Sequence, residues 1–215
     1  MEAYRIYDLT HPMHEAMPVY PGKGQPAFAQ AAFQEIDGYR EMRMAFDGHT
    51  GTHIDAPAHM LNQGNTLDQY PVSRFSGKGV VLSIPPGTNH IGLPFLKARE
   101  REIAGAGYLL LRTGWSRFWE EEKYMAGFPV LTEEAAQWLT TMHLKGIGLD
   151  AISVDPLESD TWPVHHLLFG ADMVIVENLV FPPELTQEQF LFCALPLPVR
   201  GADGSPVRAL ALVTE

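Results

Sequence analysis

The stretch His49-Thr50-Gly51-Thr52-His53-Ile54-Asp55-Ala56-Pro57-Ala58-His59 holds three of the chain's nine histidines and one carboxylate within eleven residues. Whether it is a helix or a strand decides how the fold is read. A helix would align His49 with His53, four residues apart, and turn Asp55 and His59 elsewhere. Gly51, Thr52, Ile54 and Pro57 also oppose a helix. A strand period accounts for every polar position, because His49, Gly51, His53, Asp55, Pro57 and His59 alternate. The intervening Thr50, Thr52, Ile54, Ala56, Ala58 and Met60 form a small or apolar face suited to packing. A straight strand would hold His49 about 20 Å from Asp55 at roughly 3.3 Å per residue, too far for one ion. The chain is therefore expected to bend, with Gly48 and Gly51 permitting it.

Outward from this stretch, apolar runs predict further strands over 4–9, 28–34, 39–47, 79–84, 108–112, 147–154, 173–177, 190–194 and 207–213. The last two flank Gly-Ala-Asp-Gly-Ser-Pro and read as a hairpin. Helices are fewer. One is expected from Thr132 as N-cap to Lys145, stopped by Gly146; another covers 93–104; a short one covers 163–169, ended by Gly170. Runs such as VVLSI, YLLLR and MVIVE between helices indicate an α/β fold with a mixed sheet.

With 215 residues and no repeat or linker, the chain reads as a single domain over 1–215. Its net charge of −11 disfavours nucleic acid and anionic membranes as partners. The single cysteine, Cys193, lies in FLFCALPL and reads as a small hydrophobe. The start MEAYRIYDLTH lacks a signal peptide's basic and apolar regions, and no apolar run nears the roughly 18 residues that span a bilayer, so a cytoplasmic address is expected.

Two imidazoles with a carboxylate suit Zn²⁺, Mn²⁺ or Fe²⁺, and the lack of a cysteine cluster argues against a purely structural zinc. No G-x-S-x-G elbow, H-E-x-x-H pair, Walker loop or dinucleotide fingerprint competes with this site.

The pattern formed by His49, Gly51, Thr52, His53, Asp55, Pro57 and His59 resembles the signature of the cyclase family of metal-dependent hydrolases, to which bacterial kynurenine formamidases and isatin hydrolases belong. The resemblance extends over Met17-Pro-Val-Tyr-Pro-Gly, Leu109-Leu-Leu-Arg-Thr-Gly, Asp155-Pro, His165, Glu177, Leu195-Pro-Leu-Pro-Val and Ser205-Pro-Val-Arg-Ala. It implies a swivelling β/α/β fold and assembly as a homodimer or homotetramer. It further implies two divalent cations, Zn²⁺ first and Mn²⁺ as the alternative. His49, His53 and Asp55 would hold the first cation, and Asp55, His165 and Glu177 the second. His59 would be the catalytic acid and base.

The same resemblance implies hydrolysis of a small aryl amide, with N-formyl-L-kynurenine as the leading substrate. Ring opening of a lactam or lactone such as isatin is an alternative, and so is a non-catalytic metal- or ligand-binding protein. Kynurenine formamidases typically carry tryptophan where Tyr20 stands, so Tyr20 is either a substrate contact or a buried turn residue. Of the adjacent His165 and His166, the family spacing selects His165 and leaves His166 to packing or support. Trp115, Trp119 and Trp162 are further aromatic candidates for a pocket but read first as core or interface, and His11, His14, His90 and His143 read as surface or structural residues.

Overall fold

The computed structural model describes residues 3–214. In chain order the strands are β1 (Tyr4–Asp8), β2 (Ala27–Ala32), β3 (Glu41–Ala45), β4 (His53–Asp55), β5 (Ser76–Ser83), β6 (His90–Ile91), β7 (Tyr108–Arg112), β8 (Val130–Leu131), β9 (Gly146–Leu149), β10 (Val174–Glu177), β11 (Gln189–Pro196) and β12 (Gly204–Thr214). The α-helices are α1 (Gln34–Asp37), α2 (Leu93–Lys97), α3 (Glu100–Ile103), α4 (Glu133–Leu139) and α5 (Pro163–Gly170).

Among the described residues, eight strands form one mixed sheet in the order β1-β12-β11-β5-β7-β9-β10-β4. The apolar strands β5, β7, β9 and β10 run parallel, as continuous hydrophobic runs covered on both faces should. The remaining pairings are antiparallel. Strand β4 also pairs with β12, setting Gly204 opposite Asp55 and Pro206 opposite His53, so the sheet closes on itself. Closure supplies the short β4 with a neighbour on each side and leaves no bare edge beside the histidine motif.

Strand alternation sorts the side chains into two cores. Val81, Tyr108, Leu110, Val174, Val176, Phe192 and Ala209 fill the interior of the closed sheet. Val80, Leu109, Leu111, Ile147, Leu149 and Ile175 face out, against Ala135, Ala136 and Leu139 of α4 and Val164, Leu168 and Phe169 of α5. Each fully buried aliphatic contributes about 1.5–3 kcal/mol. The interior is tight at β9, where a Cβ on Gly146 would lie 2.5 Å from the Val174 carbonyl oxygen and 3.0 Å from the Tyr108 ring.

Several expectations are corrected. Helix α4 starts at the Thr132 cap, whose Oγ1 accepts from the Ala135 amide, but it ends at Leu139 and a 3₁₀ turn covers Thr140–Met142. His143, at φ 57°, breaks the chain there, and Gly146 opens β9 instead of stopping a helix. Lys145 points its ammonium at the carbonyls of Ser73 and Ser76, each 2.7 Å away. The helix over 93–104 is split, with Arg99 between α2 and α3 at φ −111° and ψ 12°. The strand over 147–154 stops at Leu149. Within 49–59 only His53–Asp55 is strand, Gly51 turns at φ 67°, and Pro57–His59 is a 3₁₀ turn. The bend needed to gather the histidines is therefore present, but strand alternation carries only His53 and Asp55.

Candidate metal centre

Strand β4 places Ile54 in the interior core and sends His53 and Asp55 to the outer face. Antiparallel register then sets Glu177, the last residue of β10, opposite His53. Helix α5 packs on that outer face and brings in His165. His53, Asp55, His165 and Glu177 are all buried, at 3%, 1%, 4% and 5% exposure. Four ionisable groups at this depth are costly unless they satisfy one another or a cation.

The histidines are held from behind. His53 Nδ1 donates to the Gly51 carbonyl at 2.8 Å, leaving Nε2 to face Asp55 Oδ1 at 3.2 Å and Glu177 Oε2 at 3.6 Å. His165 Nδ1 donates to Asp155 Oδ2 at 2.7 Å, leaving Nε2 3.6 Å from Glu177 Oε1. Asp155 also accepts from the Val164 and His165 amides, capping the start of α5. A histidine whose far nitrogen is fixed on a carboxylate or carbonyl is the usual support of a metal ligand. Deeper still, Tyr124 Oη donates to Asn178 Oδ1 at 2.7 Å, and Asn178 Nδ2 donates to the Gly51 carbonyl at 2.8 Å.

His49 Nδ1 lies 2.6 Å from Asp55 Oδ1. Burial opposes charge on His49, but Asp55 and Asp203 outweigh it and hold its pKa up at about 9. His165 behaves alike: burial pulls its pKa down, Asp155 and Glu177 pull harder, and it is raised to about 9. Asp55 is held well below the usual carboxylate range by His53 and His49 despite its burial. Burial dominates at His59, lowering its pKa against the pull of Asp55 and Asp203.

These residues fit a divalent cation. Glu177 Oε1 is buried without a hydrogen-bond partner. Ligand atoms of His49, His53 and Asp55 lie within 4.8 Å of one another, as do those of Asp55, His165 and Glu177. Tetrahedral ligands at about 2.0–2.1 Å from zinc stand about 3.3 Å apart, close to the 3.2 and 3.6 Å gaps here. Asp55 belongs to both of these groups, and the more exposed His49, His59 and Asp203 form a third within the same distance.

The centre opens into a cavity of about 440 Å³ whose wall includes Tyr20, Met60, Ile152, Trp162 and His59. Tyr20 and Trp162 meet edge to face with centroids 6.2 Å apart, so Trp162 is a cavity wall and not core or interface. His166 is exposed on α5; neither packing nor support describes it, because the helix turns it away from the His165 face. His11 is buried and stacked on Trp119 with centroids 4.1 Å apart, and His14 pairs with Glu120. His90 and His143 are exposed.

Sequence reasoning missed Asp203. Its Oδ2 lies 3.0 Å from His49 Nε2 and 3.2 Å from His59 Nδ1. An Asp-Gly dipeptide between two strands signals a turn, and that signal concealed a site residue.

A family model described as "Putative cyclase" matches residues 7–156. The chain belongs to the cyclase family. A kynurenine formamidase of Bacillus cytotoxicus is 31% identical over 211 residues, covering 98% of this chain and 98% of the relative. Isatin hydrolase A from Labrenzia aggregata, solved bound to benzyl benzoate, is similar with a TM-score of 0.88 at 26% identity over 99% of this chain and 94% of that one. A solved potential metal-dependent hydrolase with cyclase activity aligns with a TM-score of 0.83 at 29% identity, over 99% of this chain and 100% of that one. This member of the cyclase family is an enzyme of the hydrolase class. No helix among the described residues is long and apolar enough to cross a membrane.

Proposed function

We propose that the chain is a metal-dependent hydrolase of small aryl amides, with N-formyl-L-kynurenine as its substrate. The observation that carries this reading is the convergence of His49, His53, Asp55, His165 and Glu177 on one aromatic-walled cavity, together with the kynurenine formamidase relative. We place two divalent cations there, Zn²⁺ before Mn²⁺: His49, His53 and Asp55 hold one, and Asp55, His165 and Glu177 the other.

Bound cations supply Lewis acidity, which acidifies water towards neutral pH and polarises a carbonyl. The chain's own residues do the rest. The neutral His59 ring takes a proton from the attacking water and returns it to the leaving nitrogen. One C–N bond breaks, one C–O bond forms, and formate and the free aryl amine result. Tyr20 and Trp162 stack against the aryl ring and orient it. Ring opening of a lactam or lactone such as isatin is the second reading, favoured by the Labrenzia structure and by the Tyr20 hydroxyl.

The experiment is formate release by zinc- or manganese-loaded protein from N-formyl-L-kynurenine, alongside isatin and small lactones. Formate release supports the formamidase; ring opening alone replaces the substrate and keeps the hydrolase. If neither occurs and His59→Ala changes nothing, the chain binds metal or ligand without turnover.

We also propose that it works in the cytoplasm with a second copy as partner. Two apolar surfaces favour the second copy: the β2–β3 ribbon, with Ile36, Met42 and Met44 exposed, and the outer face of β1 and β11, with Ile6, Leu191 and Leu195 exposed. Light scattering should give twice or four times the chain's 23.9 kDa, and a monomer would refute it.

A further inference from the structure

We propose that Asp203 is a positioning residue that sets which nitrogen of His59 carries the proton. Its Oδ2 is 3.0 Å from His49 Nε2 and 3.2 Å from His59 Nδ1, and the two rings lie 3.8 Å apart between centroids, tilted by 35°. A carboxylate can only accept, so both facing nitrogens carry hydrogen. On His49, Nδ1 faces Asp55 Oδ1 at 2.6 Å in the same way, so this ring carries hydrogen on both nitrogens until a cation takes the place of the one on Nδ1. On His59 the contact with Asp203 Oδ2 leaves Nε2 as the lone-pair nitrogen, which the proton transfer proposed above requires. The same oxygen also touches His49, a ligand of the proposed metal centre.

Asp203 is not placed there by an ordinary turn. Its carbonyl accepts from the Ala56 amide at 2.8 Å, extending the β4–β12 ladder by one bond beyond the Asp55–Gly204 pair. Gly204 is required beside it, because a Cβ there would stand 2.4 Å from Cε1 of His49. The His49 ring lies against the backbone at Gly204, with the Asp203 carboxylate at its Nε2. The Asp203 side chain is half exposed, at 51%, and still reaches both rings.

The role of His59 rests on the proposed hydrolysis; the proton positions do not. The test is ¹⁵N NMR of the histidine rings in zinc-loaded and metal-free protein, wild type and Asp203→Ala, with kinetics on the best substrate. In wild type the His59 proton should sit on Nδ1, and in Asp203→Ala it should move to Nε2. The kcat should fall about 10–100-fold, the range for lost support of a site residue, with KM within about twofold. Asp203→Asn, which keeps an acceptor oxygen and the same shape, should recover part of the loss and confirms folding if Asp203→Ala is unstable. Combined with His59→Ala, Asp203→Ala should cost nothing further, because both act through one group. An unmoved His59 proton, or losses that multiply in the double variant, would overturn the proposal. If no substrate is turned over at all, the hydrolase reading fails while the ring protons still decide this one.

Discussion

His11 and His165 are comparably buried, 7% and 4% exposed, yet their protonation is pushed in opposite directions. His11 stacks on Trp119, its Nε2 lacks a partner, and burial drives its pKa down to about 4 against a weak pull from Glu120. His165 faces Asp155 and Glu177, which overcome burial and hold it at about 9. Burial alone makes a neutral, inert imidazole. Buried carboxylates around the ring turn the same depth into a place where positive charge belongs, and a divalent cation can take the place of the protons.

Removing the carboxylates should collapse the contrast most. Asp55→Ala takes away the group shared by both candidate metal sets, so metal binding should fail and kcat/KM should fall by about 10³-fold or more. A chelator titration read with the kinetics checks this. Withdrawing the cations from wild type comes next. At free metal 100 times the dissociation constant, binding adds about 2.7 kcal/mol of stability, so a chelator should lower the thermal midpoint markedly in wild type and hardly at all in Asp55→Ala.

Tyr124→Phe probes the support behind His53. It strips the donor from Asn178 Oδ1, a buried acceptor whose loss costs about 1–3 kcal/mol. Stability should drop by that amount and metal affinity severalfold, and equal affinity in the two proteins would show that the relay does not reach the ligands. The His11 side gives the smallest effect. The unfolded chain protonates His11 near 6.5 while the folded chain resists until about 4. Stability therefore falls as pH drops through that window and is level above it. His11→Phe, which keeps a ring against Trp119, should flatten this part of the urea-midpoint profile.

Much of this contrast was legible in the sequence. Tyr108–Arg112 reads as a strand and is one, because a parallel strand covered on both faces must be apolar throughout. The histidine motif announced its own residues, since so dense a cluster of ligand types has few structural uses. What stayed hidden depends on closure of the sheet. Nothing in Gly204-Ser205-Pro206 shows that it pairs with β4, and without that pairing Asp203 is only a turn residue. Trp162 was one of three tryptophans the sequence offered for a pocket without a way to choose, because its place on the cavity wall follows from α5 docking beside Tyr20. Gly146 misled in another way: it is glycine because Val174 and Tyr108 crowd it, not because a helix ends there.

The central claim is that the outer face of β4 and β10 is a cation site organised around Asp55. Its most direct test is anomalous diffraction at the zinc edge from crystals of the zinc-loaded protein. The account predicts two peaks per chain, one among His49, His53 and Asp55 and one among Asp55, His165 and Glu177. Peaks elsewhere, or none at full zinc occupancy in solution, would contradict it.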